Sequence, residues 1–219
     1  PDTSYSIKYV HPSLEAHLAP AFYLAVPIDD ISQNAIYING SSNYQKMKLY
    51  TTLAHEGFPG HLYQNIMERS QDFLPIRSLL GTSGYSEGWA TYVEMISYGY
   101  AELQPGLGKL LMHDQSALLS LYATADLGIH GEGWSLEDMM AFFGEYQITD
   151  QQILRDIYQL IVEEPAHYLK YYIGYLEFLS LKEEAQKKWG EEYSDYRFHE
   201  ALMELGPAQF EILRKYFPD

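Results

Sequence analysis

The stretch "TTLAHEGFPGHLYQ", Thr51 to Gln64, carries two histidines six positions apart, His55 and His61, with Glu56 directly after the first. Zinc hydrolases commonly place the second histidine four positions after the first on one helix, because about 100° per residue then brings both imidazoles to one face. Here the fourth position is Pro59. On an unbroken helix, His61 would lie about 240° round from His55, too far for a shared metal.

Pro59 changes this geometry, because it cannot donate a hydrogen bond to the carbonyl of His55 and its ring crowds that carbonyl. Gly57 and Gly60 flank it with permissive backbone. A bulge or break between the two glycines would absorb the two extra residues and return His61 to the side of His55. The alternative is a helix that ends at Gly57, with both histidines as ordinary turn residues. The seven residues His55–His61 alone favour neither the break nor the helix end.

A candidate third ligand, Glu87, follows in "SGYSEGWATYVE". If two helices met at one ion, two histidines and a carboxylate could hold it and leave one position for water. A second carboxylate, which is not a ligand, would take the proton of that water. The alternative is that Glu87 lies on a solvent-exposed face of its helix, the commonest environment of carboxylates. Glu87 begins a polar stripe of Glu87, Thr91, Glu94 and Tyr98, opposite an apolar face of Trp89, Val93 and Ile96.

The bulk composition excludes several classes of site and partner. The chain has 219 residues, of which 47% are hydrophobic, and 14 basic against 30 acidic residues give a formal charge of −16. This charge repels phosphate backbones and anionic lipid surfaces, so nucleic acid is not an expected partner. The absence of cysteine excludes disulfides, thiolate zinc sites and a cysteine nucleophile. No apolar run approaches the roughly 18 residues of a membrane span.

The pattern of elements predicts a mainly α fold with a small β element at its start. Two short runs, Phe22–Val26 and Ala35–Asn39, predict a hairpin or an edge strand. We expect one domain over residues 1–219, since no shift in composition marks a second. Helices are predicted from near Tyr44 and over Ser86–Tyr100, Leu107–Leu127, Leu136–Tyr146, Asp150–Val162, Ala166–Lys188, Tyr196–Leu205 and Pro207–Tyr216.

Five motifs in order resemble one known family. "HEGFPGH" and "EGWATYVE" are followed by "DLGIHGEGWSLEDM" (Asp126–Met139), "EEPAHYLKYYIG" (Glu163–Gly174) and "FHEALMELGP" (Phe198–Pro207). The chain from residue 35 onward resembles the bacterial family catalogued as domain of unknown function 885, which is placed among zinc metallopeptidases of the thermolysin-like, glutamate-ligand type. Members of that family are longer, so the resemblance implies a helical zincin-like domain that is the C-terminal catalytic portion of a longer protein.

The resemblance also implies roles for particular residues. The family pattern implies zinc on His55, His61 and Glu87, with Glu56 as general base and Glu94 as support for a ligating histidine. It also picks out Tyr171, Asp126, His130 and His199. The chain departs from the family at His167, which stands where members often have glutamine in a Pro-Gly-Gln-Ala sequence.

Three of these residues are candidate donors to the oxyanion that forms when an amide is hydrolysed. They are Tyr171, His130 and His199, and the alternative for each is a hydrogen-bonded core residue. Asp126 and His130 are four positions apart, so on a helix the carboxylate would fix the tautomer of the imidazole. Gly128 between them weakens that helix.

The sequence thus predicts a zinc-dependent metallopeptidase in which Glu56 activates zinc-bound water against a carbonyl of a peptide or small-protein substrate. The Ala35–Asn39 strand is expected to pair with an extended substrate by strand addition. One alternative is a metal-dependent hydrolase of another amide or ester. Another is a non-catalytic module that binds a peptide or glycan on the same fold. The resemblance favours an extracytoplasmic or lipid-anchored location.

Overall fold

The N-terminal part of the chain forms a three-stranded sheet. In a computed structural model, which describes residues 3–25, 27, 33–41 and 46–218, the strands are β1 (Tyr5–Tyr9), β2 (Ala21–Leu24) and β3 (Asn34–Ile38). Their order is β1-β3-β2. Strand β3 pairs in parallel with β1, where Ile36 lies opposite Ile7. It pairs antiparallel with β2, where Ile36 lies opposite Tyr23.

The position of β3 corrects one expectation. Both predicted β runs form strands, and β2 and β3 make the predicted hairpin, although Val26 lies outside the described residues. Strand β3 is the central strand, so its backbone groups are paired with a neighbouring strand on both sides. The prediction that this strand pairs with an extended substrate is therefore wrong. The edge strand that contacts the first helix is β2.

The rest of the described chain is mainly helical, which confirms the predicted fold class. Within the described residues the helices are α1 (Lys46–Glu56), α2 (His61–Ser70), α3 (Ser83–Ser97), α4 (Leu107–Leu127), α5 (Leu136–Glu145), α6 (Gln151–Glu163), α7 (His167–Trp189), α8 (Asp195–Leu205) and α9 (Phe210–Tyr216). No helix among them is long and apolar enough to cross a membrane.

Most predicted helix boundaries agree with these bounds to within a residue, and local capping groups mark the starts of α5, α6 and α8. Asp150, for example, accepts hydrogen bonds from two backbone N–H groups at the start of α6. Helix α3 begins and ends three residues before its predicted bounds, and α9 begins three residues late. Helix α2 was not predicted, and the predicted start of α1 near Tyr44 lies outside the described residues.

Helix α3 lies at the centre of the core and crosses α7 in backbone contact. A Cβ added to Gly88 would lie 2.5 Å from the carbonyl carbon of Gly174. The apolar face of α3 is buried, with Trp89 at 1% exposure, but so is the polar stripe, with Glu94 at 8%. The stripe is therefore not a solvated face, and its carboxylates need partners inside the protein.

Candidate metal centre

The two histidines of the opening motif lie on different helices. Helix α1 ends at Glu56 and α2 begins at His61, so the predicted break between residues 57 and 60 is present. The Phe58–Pro59 peptide bond within it is cis. The break returns the His61 ring to within 4.9 Å of the His55 ring, centroid to centroid, at 82°. Two imidazoles therefore converge although six residues separate them.

Glu87 on α3 completes a group of three possible ligands. Its Oε2 lies 3.3 Å from Nε2 of His61 and 3.7 Å from Nε2 of His55. One ligand atom from each of the three residues lies within 4.8 Å of the others. Tetrahedral zinc with ligands at about 2.0–2.1 Å would bring such atoms to about 3.3 Å from one another. This donor set and its spacing fit a zinc ion with one position open.

Glu94 contacts the ring nitrogen of His55 that faces away from Glu87. One carboxylate oxygen of Glu94 lies 3.1 Å from Nδ1 of His55, and the other lies 3.4 Å from Nζ of Lys48. The contact fixes the ring and leaves Nε2 facing Glu87. With Nδ1–H donating to this carboxylate, the neutral ring would carry its lone pair on Nε2 toward a metal, an arrangement common for metal-binding histidines.

The charges around His55 favour a cation at this point. Burial would lower the pKa of His55, but its contacts with Glu87 and Glu94 outweigh burial and raise that pKa to about 9. Burial would raise the pKa of both carboxylates, yet their contacts with His55 lower it, and His61 adds to the effect at Glu87. The carboxylates of Glu87 and Glu94 on either side of His55 therefore favour positive charge at this ring.

Glu56 is held at the edge of the sheet. Its Oε2 accepts a hydrogen bond of 2.9 Å from the backbone N–H of Tyr23 in β2. The carboxylate is therefore oriented by a strand, next to His55 but outside the group of three ligands. No sequence signal pointed to Tyr23, because the contact uses its backbone and arises from the packing of α1 on β2.

Tyr171 on α7 lies against the same group. Its ring centroid is 6.2 Å from that of His55 and 5.5 Å from that of His167. Burial and the charges of Glu87 and Glu56 raise the pKa of Tyr171 above its ordinary value, so its hydroxyl stays protonated at neutral pH. The neighbouring Tyr172 packs instead against the core cluster around α3 and α7.

His130 has a different environment from the one predicted. Its Nε2 lies 2.8 Å from the carbonyl oxygen of Ile161 and 3.9 Å from the nearest oxygen of Asp126, which is too long for a hydrogen bond. The expectation that Asp126 fixes the tautomer of His130 is therefore wrong. The buried Asp126 instead accepts hydrogen bonds from the backbone N–H groups of Ala166 and Tyr168 and caps the start of α7.

His199 lies beside Trp89, on the face of α3 opposite Glu87. Its Nε2 is 2.9 Å from the hydroxyl of Tyr92, and its ring meets Trp89 edge to face. It lines a pocket of ≈ 470 Å³ that Pro59 also borders. In the described part of the chain, only Tyr171 of the three predicted oxyanion donors packs against the ligand group.

Comparison with known families settles the kinship of the chain. The model of the family described as "Bacterial protein of unknown function (DUF885)" matches residues 1–216. The chain belongs to the DUF885 family. The predicted membership of this family is thereby confirmed, and the match extends beyond the motifs to the N-terminal strands.

Two solved structures share the fold of this DUF885 chain. One, "the putative lipoprotein from Colwellia psychrerythraea", is similar over 98% of this chain, with a TM-score of 0.83 and 24% identity. The other, "a putative lipoprotein of unknown function from Shewanella oneidensis", is similar over 89%, with a TM-score of 0.74 and 23% identity. This chain spans 37% and 38% of their lengths. A comparison with curated proteins found no match.

Proposed function

We propose that this protein is a zinc-dependent metallopeptidase. The observation that carries the proposal is the convergence of His55, His61 and Glu87 from three helices. The carboxylate of Glu94 contacts Nδ1 of His55, and Glu56 directly follows His55 in the chain. Burying this many charged groups is costly unless a cation is shared among them. Two imidazoles and one carboxylate form the ligand set of a catalytic rather than a structural zinc site.

The chain's own residues supply the remaining chemistry. A zinc ion held by the three ligands would polarise a substrate carbonyl and make an attacking water more acidic. Glu56, oriented by the N–H of Tyr23, accepts the proton that this water loses and passes it to the departing amine. Tyr171 keeps its proton and donates a hydrogen bond to the developing oxyanion.

The proposal extends to the location and to the whole protein. Two proteins of the same fold are called putative lipoproteins, and this supports an extracytoplasmic or lipid-anchored location. The strong negative charge of the chain does not oppose it. The matched chains are much longer, so the activity and substrates of the whole protein belong to the same proposal.

The test combines metal analysis with turnover. The purified protein should contain about one zinc per chain, cleave peptides, lose activity with a chelator and regain it with zinc. Glu56→Gln should keep the zinc and lower turnover by a factor of about 10² to 10⁴. Glu145→Gln, which removes an exposed carboxylate on α5, is the control and should change neither.

Other outcomes separate the alternatives. Tight zinc binding with ester or small-amide turnover and no peptide cleavage would favour another hydrolase. Peptide or glycan binding without any turnover would favour a binding module. Equal loss of zinc and activity in Glu56→Gln would make Glu56 a ligand rather than the general base.

A further inference from the structure

A small polar pocket adjoins the candidate metal centre at His61. It has a volume of ≈ 250 Å³ and lies between α2, the start of α3 and the end of β2. The side chains of Gln64, Asn65 and Glu68 follow His61 by three, four and seven positions, so they share its face of α2. Other lining residues are Tyr23 and Ser86. The pocket is therefore continuous with the site of the proposed reaction.

The amide groups in this pocket have unused hydrogen-bonding atoms. Gln64 is 6% exposed, and its Nε2 has no hydrogen-bond partner among the described residues. The same holds for Oδ1 of Asn65, one residue further along α2. Buried polar atoms nearly always have a partner, so two neighbouring orphans, a donor and an acceptor as these amides are oriented, require either water or a ligand in the pocket.

Glu68 adds a carboxylate at the far end of the pocket. It is partly buried and forms no ion pair within the described part of the chain. Burial raises its pKa, and the charges of Arg69 and Arg77 only partly offset this effect. Its carboxylate therefore has room for an ion-pair partner that the described residues do not supply. A cationic group in the pocket would supply one.

We infer that this pocket binds the amino-terminal residue of a peptide substrate. Its ammonium group lies between Oδ1 of Asn65 and the carboxylate of Glu68, and a backbone carbonyl of the same peptide accepts from Nε2 of Gln64. This inference rests on the proposed peptidase function and adds to it the end of the peptide that the enzyme recognises.

The rise of α2 sets the length of the released product. Asn65 and Glu68 lie about 6 Å and 10.5 Å from His61 along the helix axis, at about 1.5 Å per residue. An extended peptide advances about 3.3 Å per residue. An amino terminus held between these two side chains is therefore two or three residues ahead of a carbonyl at the metal centre, and the enzyme releases di- or tripeptides.

The test measures binding and cleavage separately. Calorimetry with the zinc-loaded Glu56→Gln protein, which should turn peptides over only slowly, gives the affinity for three versions of one hexapeptide: with a free amino terminus, N-acetylated, and N-acetylated with lysine at the third position. Acetylation should lower the affinity about 10- to 100-fold, the range for a lost charge-assisted hydrogen bond. Glu68→Gln should remove most of this difference. The matched control Asp72→Asn, an exposed carboxylate just beyond α2, should preserve it.

The outcomes distinguish this inference from the proposed function. If acetylation has no effect on affinity, or if the lysine peptide recovers all of it, the pocket does not recognise an amino terminus. Cleavage of free and acetylated peptides at equal rates would leave the peptidase standing and overturn the pocket assignment. Binding that depends on Glu68 and on a free amine, without cleavage, would support the pocket and overturn the peptidase. Mass spectrometry of the products should show di- or tripeptides.

Discussion

Replacing Gly60 with alanine tests whether the break between α1 and α2 creates the metal centre. A Cβ at this position would lie 1.7 Å from the carbonyl oxygen of His55 and 2.5 Å from that of Ala54. Since real Cβ contacts are not shorter than 3.0 Å, the new atom and the end of α1 must separate by at least 1.3 Å. Both obstructing atoms belong to the backbone, so no side chain can rotate to relieve the overlap.

This displacement is large on the scale of metal coordination. Ligand distances in metal sites vary by about 0.2 Å, and Gly60 directly precedes His61, so a shift of this size removes His61 from the ligand set. Mutating a residue that only hydrogen-bonds to a metal ligand already lowers metal affinity by about 10- to 100-fold. We therefore expect Gly60→Ala to lower zinc affinity by about 100-fold or more, measured by competition with a chromophoric chelator.

The metal-free protein should also lose stability in the same variant. Forced insertion of a methyl group typically costs about 1–3 kcal/mol in the free energy of unfolding. For a chain of this length that lowers the melting temperature by about 2–12 °C. The control is Gly84→Ala on α3, three residues before Glu87, where an added Cβ has no neighbour within 4 Å. If Gly60→Ala binds zinc and melts like the control, the break does not set the ligand geometry.

Three further substitutions test the residues around this centre. Tyr171→Phe should lower turnover by about 10² to 10³ with zinc retained, whereas Tyr172→Phe should leave turnover unchanged; the reverse result would show that the wrong tyrosine has been assigned. Glu94→Gln should weaken zinc binding by about 10- to 100-fold in the same chelator competition, and wild-type affinity would exclude its supporting role. Asp126→Asn should lower the free energy of unfolding by about 1–3 kcal/mol in urea titration, with zinc affinity intact, because Asp126 caps α7; a selective loss of turnover would contradict this structural assignment.

The sequence was sufficient for those features that depend on nearby residues. The capping groups and helical periodicity located most helices of the described chain, and the proline between two glycines located the break between α1 and α2. The polar stripe on α3 identified Glu87 and Glu94 as residues of one face. Each of these inferences needs only the spacing of residues within one or two turns of a helix.

The remaining features depend on contacts between distant parts of the chain. Strand β1 was not predicted, although its residues Tyr5–Tyr9 alternate apolar and polar as a strand does; all five are exposed, so its place in the sheet depends on the pairing with β3. Its pairing with β3 nevertheless turns that strand from an edge into the centre of the sheet. The tautomer argument for His130 assumed a regular helix, whereas the chain there forms a π-helical turn at Gly128–Glu132. The pocket on α2 was missed because α2 itself was not predicted.

The contact between Gly88 and Gly174 makes part of the candidate site adjustable by engineering. Glu87 directly precedes one glycine, and Tyr171 lies one helical turn before the other. Side chains of increasing size at Gly174 would push α3 and α7 apart in graded steps without changing any polar group. The separation between the Glu87 carboxylate and the Tyr171 hydroxyl thus becomes a variable that a designer can scan, with turnover on esters and amides as the readout of the proposed activity.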